Sequence, residues 1–247
     1  ITLAVSLANR GHQVTGIDTK KSIVDSLNMG DSHVFEPGLS DMLTANLKRS
    51  NIAFNNEIDS DIDQVYIIAI GTPLDLNSIP DMSALTSVLK DISRVLKQGD
   101  QVMLRSTVPV GVTRKVVVPY LEDATGLKAG KDFYISFAPE RTIEGDAMNE
   151  LKTLPQVIGG YSSQCLKKSS DFWATLTSTI VRVGTLEAAE LVKLSNNSFR
   201  DLSFSFANEL ALLADKFNVN AFDLINAANE GYPRNKIPLP SPGVGGY

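Results

Sequence analysis

The stretch APERTIEGDA, Ala138–Ala147, sets Glu140, Arg141, Thr142 and Glu144 directly after an apolar run. Two carboxylates beside a guanidinium can supply a general base and an anion clamp; the same composition also makes an ordinary solvated loop. Lys193, Asn197 and Arg200 recur at i, i+4 and i+7, which on a helix places them on one face. That stripe either meets a ligand or is the polar outside of the helix, since Lys and Arg are mostly exposed. Asp18 closes the short run QVTGID. A carboxylate at a strand end bonds the ribose 2′-hydroxyl of NAD and repels the 2′-phosphate of NADP, although a turn or helix cap uses the same residue. Two further segments follow candidate strands: GTPLD, with Gly71, Thr72 and Pro73, and RSTVPVGVT, with Ser106, Thr107 and Gly111. Ligands bind at such positions in open α/β sheets, while plain turns are the alternative for each. Two such loops on one edge with Asp18 favour a cofactor site.

Other residue types exclude more than they suggest. The single cysteine, Cys165, cannot build a disulfide framework, and among Leu166, Phe172 and Trp173 it reads as a small core residue. His12 and His33 lack any zinc spacing, and His12, after a helix stop, reads as a surface loop residue. A net charge of −5 over 247 residues argues against a nucleic-acid partner. The apolar run QVYIIAIG is far too short to span a membrane. The expectation is a reduced, cytoplasmic protein with no metal, no nucleic-acid partner and no membrane partner.

The elements that must position these residues alternate between strand and helix patterns. ITLAVSLANRG, KSIVDSLNMG, DMSALTSVLKDISRVLK, GVTRKVVVPYLEDATG and SSQCLKKSSDFWATL read as helices. QVTGID, VYIIAI, DQVMLRST, FYISFAPE, PQVIGG and STIVRVG read as strands, VYIIAI with the continuous apolar character of a parallel sheet. This succession predicts an α/β fold, a Rossmann-like doubly wound parallel sheet, over residues 1–184. From residue 185 the texture changes to one long helical pattern, Leu186–Phe217, and a second at NAFDLINAANEG. An all-α region with that much apolar surface needs a partner surface.

Both ends of the chain have the look of a cut. The first residues open inside a hydrophobic pattern without an initiator Met, and the last ten, PLPSPGVGGY, carry Gly243, Gly245 and Gly246. The glycine-rich phosphate loop of a dinucleotide fold would stand just upstream, since Asp18 lies at about the expected 20 residues from it.

The ordered blocks EPGL, GTP, STVPVG, PERTIEG, IGG, ELVKLSNNSFRDLSFSFANEL and PSPGVGGY resemble the UDP-glucose/GDP-mannose dehydrogenase family across essentially the whole chain. The resemblance implies an NAD-dependent enzyme that oxidises the 6-hydroxyl of a sugar nucleotide to a carboxylate in two hydride transfers. It also implies a homodimer built on the central helix and a C-terminal domain for the uridine nucleotide. In such proteins the glycine loop runs into a catalytic cysteine as G-G-x-C, and Tyr247 takes the x position. The 247 residues alone are then expected to be inactive; Cys165 does not match the nucleophile.

The family pattern assigns further roles by position. Asp18, Gly71, Thr72, Pro73, Ser106 and Thr107 match residues at NAD, with Glu144 beside the cofactor. Thr107, Glu140, Lys193 and Asn197 match catalytic positions. There Glu140 works with a water in thioester hydrolysis, and the Lys–Asn pair stabilises an oxyanion and holds the sugar. Arg141, Thr142, Arg200, Tyr232, Arg234, Gly243 and Gly245 match substrate-binding positions. Arg141 and Arg200 point to the branch acting on UDP-N-acetylmannosamine, where Tyr232 departs from a common His. Alternatives are a UDP-glucose 6-dehydrogenase, a β-hydroxyacid-dehydrogenase-like NAD enzyme, and a truncated dimerisation module without activity.

Overall fold

The structure, a computed structural model, describes residues 1–58, 64–77, 79–234 and 236–243. The chain divides into two compact units, Ile1–Glu190 and Leu191–Tyr247. In the first unit the strands are β1 (Val14–Ile17), β2 (Ile52–Asn55), β3 (Val65–Ile68), β4 (Gln101–Leu104), β5 (Tyr134–Phe137), β6 (Gln156–Gly160) and β7 (Ile180–Thr185). Among them lie α1 (Thr2–Asn9), α2 (Lys21–Asn28), α3 (Leu39–Lys48), α4 (Ser83–Ser93), α5 (Val118–Thr125), α6 (Ala147–Thr153) and α7 (Ser163–Trp173). A long α8 (Leu186–Lys216) crosses the division, and α9 (Ala221–Asn229) follows in the second unit.

The strands form two ladders, β1-β2 and β3-β4-β5-β6-β7. Pairing is parallel except between β5 and β6, which meet antiparallel through Ser136–Gly160 and Phe137–Gly159. The sheet is therefore mixed where an all-parallel one was expected. The 138–155 connection takes α6 against α1 and re-enters the sheet at the end it left, which reverses β6. Val14 of β1 and Val65 and Ile67 of β3 pack on one core cluster with Met103, Ile158 and Trp173, so both ladders share an interior. A second cluster of Val5, Val24, Leu27, Leu43, Ile52 and Phe54 seats α1, α2 and α3.

Two local features set the sheet edge. A Cβ at Gly159 would collide with the Thr185 carbonyl oxygen, and one at Gly160 would stand 2.6 Å from Leu166 N. Only glycine lets β6 lie this close to β7 and α7, and the register slips between Ile158 and Gly159. The helix expected over GVTRKVVVPYLEDATG begins as a π-helical turn, Thr113–Val117, and becomes α-helical at α5. Pro119 has no N–H to give the Lys115 carbonyl and its ring crowds that oxygen, so the wider turn relieves a site an α-helix could not. His12 is not merely a surface residue: its Nε2 lies 2.8 Å from Thr175 Oγ1 and its ring rests against Phe172.

In the second unit α8 runs without Gly or Pro, and its Ala207 and Ala214 are buried, as is Ile225 of α9. Asn220 caps α9 by accepting from Phe222 N and Asp223 N. Two side-chain amides hold the segment after α9. Asn229 accepts from Ile237 N and donates to its carbonyl, both at 2.8 Å. Asn208 does the same for Ser241, at 2.9 and 2.8 Å.

Candidate active site

β3 and β4 lie side by side and parallel, so the loops after them leave the same edge. Hydrogen bonds join these loops: Thr72 Oγ1 donates to the Thr107 carbonyl at 2.5 Å, and Ile70 N donates to Ser106 Oγ at 2.9 Å. A Cβ at Gly71 would meet nothing within 4 Å, so the space beside that loop is open. Asp18 follows β1, and its Oδ1 accepts from Lys20 N at 2.8 Å, turning the chain into α2. The carboxylate serves as a turn and is oriented by it. A strand-end carboxylate, an open glycine and two linked loops bearing hydroxyls suit a dinucleotide.

Arg105, at the end of β4, organises the next part of the site, and the sequence reading assigned it no role. Its side chain is 2 % exposed against 40 % for its partner Glu140, and Nη2 donates to Glu140 Oε2 at 2.5 Å. Nη1 donates to the Ala138 carbonyl and to Gln156 Oε1, and the guanidinium stacks 4.6 Å from the Trp173 ring. Burial pulls the Glu140 pKa upward. The Arg105 charge and hydrogen bond, with the Thr142 amide, outweigh that and hold it at about 2. Arg141 donates to the Pro155 carbonyl, and burial, with Arg105 nearby, lowers its pKa. With Thr142 and Gln156 these residues line one open depression.

Glu144 is exposed on the turn before α6. That turn is held by Glu36, 5 % exposed, which accepts from Gly145 N at 2.7 Å and Ala147 N at 3.0 Å. Glu36 begins the EPGL block; a charged residue before Pro-Gly reads as a surface turn, and only its distant amides reveal the role. Arg105 was more legible, since a charge ending the apolar run VML invites the question of what it pairs with. Cys165 is 1 % exposed, near Ser162 Oγ and Ile135 N.

In the second unit Lys193 and Asn197 are half-buried and Arg200 is exposed, all on α8. Arg234 lies over the Tyr232 ring at 5.6 Å, and its Nη1 donates to Tyr232 Oη at 3.4 Å. Gly243 has φ +111°, a backbone region that favours glycine, and faces Asp201. Gly245 and Tyr247 lie outside the described residues. Among the described residues no three His, Cys, Asp or Glu side chains are arranged to hold a metal ion, and no helix is long and apolar enough to cross a membrane.

The linked loops at one edge of a mostly parallel five-stranded sheet, with the acidic end of β1, define a dinucleotide-binding α/β domain followed by a helical unit. The chain belongs to the UDP-glucose/GDP-mannose dehydrogenase family: residues 1–177 match its NAD binding domain and residues 187–247 its central domain. Its cofactor is accordingly NAD. It is 34% identical over 245 residues to the UDP-N-acetyl-D-mannosamine dehydrogenase of Pyrococcus horikoshii, covering 99% of this chain and 58% of that protein. The NDP-N-acetyl-D-galactosaminuronic acid dehydrogenase of Ralstonia nicotianae is 33% identical over 250 residues, with 99% and 58% covered. The solved structure of the UDP-D-ManNAc dehydrogenase from P. horikoshii matches with a TM-score of 0.91 at 32% identity, over 99% of this chain and 58% of that one. The chain thus spans about 58% of the length of these relatives.

Proposed function

We propose that the full reading frame containing these residues is an NAD-dependent nucleotide-sugar 6-dehydrogenase. Its substrate is a UDP-N-acetylhexosamine, foremost UDP-N-acetylmannosamine, oxidised by four electrons to the uronate through a cysteine thioester. The reading is supported above all by the two family domains in order along the chain, combined with a buried arginine that keeps Glu140 ionised.

NAD, when bound, accepts hydride. Asp18, Thr72, Ser106 and Thr107 hold it, with Gly71, Pro73 and Glu144 beside it. On α8 the Lys193 ammonium and the Asn197 amide are the donors for the developing oxyanion, the role in which preorganised donors contribute most. Glu140, with a pKa of about 2, is too weak a base to take a proton at neutral pH. It orients the hydrolytic water by accepting its hydrogen bond. Arg141, Thr142, Arg200, Tyr232, Arg234, Gly243 and Gly245 contact the sugar nucleotide, and the enzyme works as a homodimer in the cytoplasm.

The test follows NADH formation by the full reading frame with UDP-N-acetylmannosamine, UDP-N-acetylgalactosamine, UDP-N-acetylglucosamine and UDP-glucose. A higher kcat/KM for UDP-N-acetylmannosamine is expected. A clear preference for UDP-glucose overturns the substrate assignment, and no NADH with any of them overturns the activity.

A further inference from the structure

We propose that Glu190 is a positioning residue for the cofactor edge: it fixes the far end of the loop that carries Ser106 and Thr107. Glu190 is fully buried on the first turns of α8, beside the equally buried Leu186 and Ala189. Its Oε2 accepts from Gly111 N at 2.5 Å, and its Oε1 accepts from Thr113 N at 2.9 Å and Thr113 Oγ1 at 2.6 Å. Gly111 has φ +92°, which turns its amide toward the same carboxylate that Thr113 meets. The Thr113 N–H opens the π-helical turn and the Gly111 N–H precedes it, positions where a helix start leaves donors without intrahelical acceptors.

The loop is pinned at its other end by Ser106 and Thr107, through Ile70 N and Thr72 Oγ1, and Val108 between is buried. Glu190 therefore closes a span whose near end faces the open space at Gly71. One helical turn earlier, Glu187 receives Arg114 Nε at 2.5 Å while that guanidinium lies 5.0 Å from the Tyr161 ring, a second attachment of the same two segments.

The chemistry of the group matters. Three donors converge on two oxygens, and an ionised carboxylate is acceptor-only. A glutamine of the same size would turn an NH₂ toward one of them, leaving a buried donor without a partner. A role in core packing alone would be kept by that glutamine.

The inference rests on the proposed NAD-dependent activity for the meaning of the loop, but not for the clamp. Glu190→Gln in the full reading frame is expected to raise the KM for NAD about tenfold or more, the scale of one hydrogen bond to a charged group, with the KM for the UDP-sugar unchanged. Amide exchange at Gly111 and Thr113 should quicken by a similar factor while β4 and β5 amides keep their rates. Thr113→Val, which removes only the Oγ1 donor, should move both readouts less in the same direction, and it decides the matter if Glu190→Gln does not fold. NAD affinity and exchange rates equal to wild type in the variant overturn the proposal. If the wild type oxidises no UDP-sugar, the proposed activity fails, while calorimetric titration with NAD and amide exchange still decide the clamp.

Discussion

Glu140 carries its charge against Arg105, whose guanidinium is closed off from water, and its pKa stands at about 2. The ordinary value is 4.5, so as the pH falls the unfolded chain takes up this proton first. The stabilisation is complete above 4.5 and is lost between about 4.5 and 2. Glu140→Gln removes it. The gap in urea midpoint between wild type and variant should shrink across that window, and a gap independent of pH would refute the ion-pair account. On α8, Lys193→Ala should lower turnover about 10²–10³-fold, as loss of an oxyanion donor does, with NAD affinity unchanged by titration. Unchanged turnover would return Lys193 to the outer face of its helix. What the sequence made legible at this scale is position: Asp18 follows a strand, Thr72 and Thr107 follow two others, and Lys193 lies on a helix with Asn197 and Arg200, while their roles are the ones proposed above. Glu36 and Glu190 were not legible, and Arg105 was so only as a charge ending an apolar run, because what defines each is a donor or acceptor far along the chain. Glu190 and Thr113 stand 77 positions apart. A buried charge and a solvated one share the same letter.

At the scale of elements, β6 depends on two glycines that no side chain could replace. Gly160→Ala forces a Cβ against the Leu166 backbone, a steric insertion that costs about 1–3 kcal/mol. A lowered melting temperature in the full reading frame is expected, and an unchanged one would mean that β6 relaxes freely. Long periodic elements such as α4, α7 and α8 were legible because their apolar stripes repeat over several turns. α3 starts at Gly38 with no side-chain cap, and β2 has four residues, too few for a periodicity to stand out. The reversal of β6 was also beyond the sequence, since strand direction follows from where α6 packs.

For the whole molecule, the exposed apolar residues of α8 are the surface to account for. Phe199, Leu202 and Phe206 are 73, 70 and 57 % exposed and share one helical face. We expect the full reading frame to sediment as a homodimer at micromolar concentration and Leu202→Glu with Phe206→Glu to give a folded monomer. A wild-type monomer would refute the dimer. The paired amides of Asn208 and Asn229 bear on a different quantity. By copying the hydrogen bonds of a neighbouring strand, they fix the backbone at Ser241 and Ile237. For the sugar-nucleotide site proposed at Gly243, the conformational entropy of the 236–243 segment would then be surrendered during folding rather than on ligand capture, which is preorganisation. Asn208→Asp, which sets a carboxylate against the Ser241 carbonyl, should therefore weaken sugar-nucleotide affinity through a more unfavourable binding entropy, read directly by calorimetry.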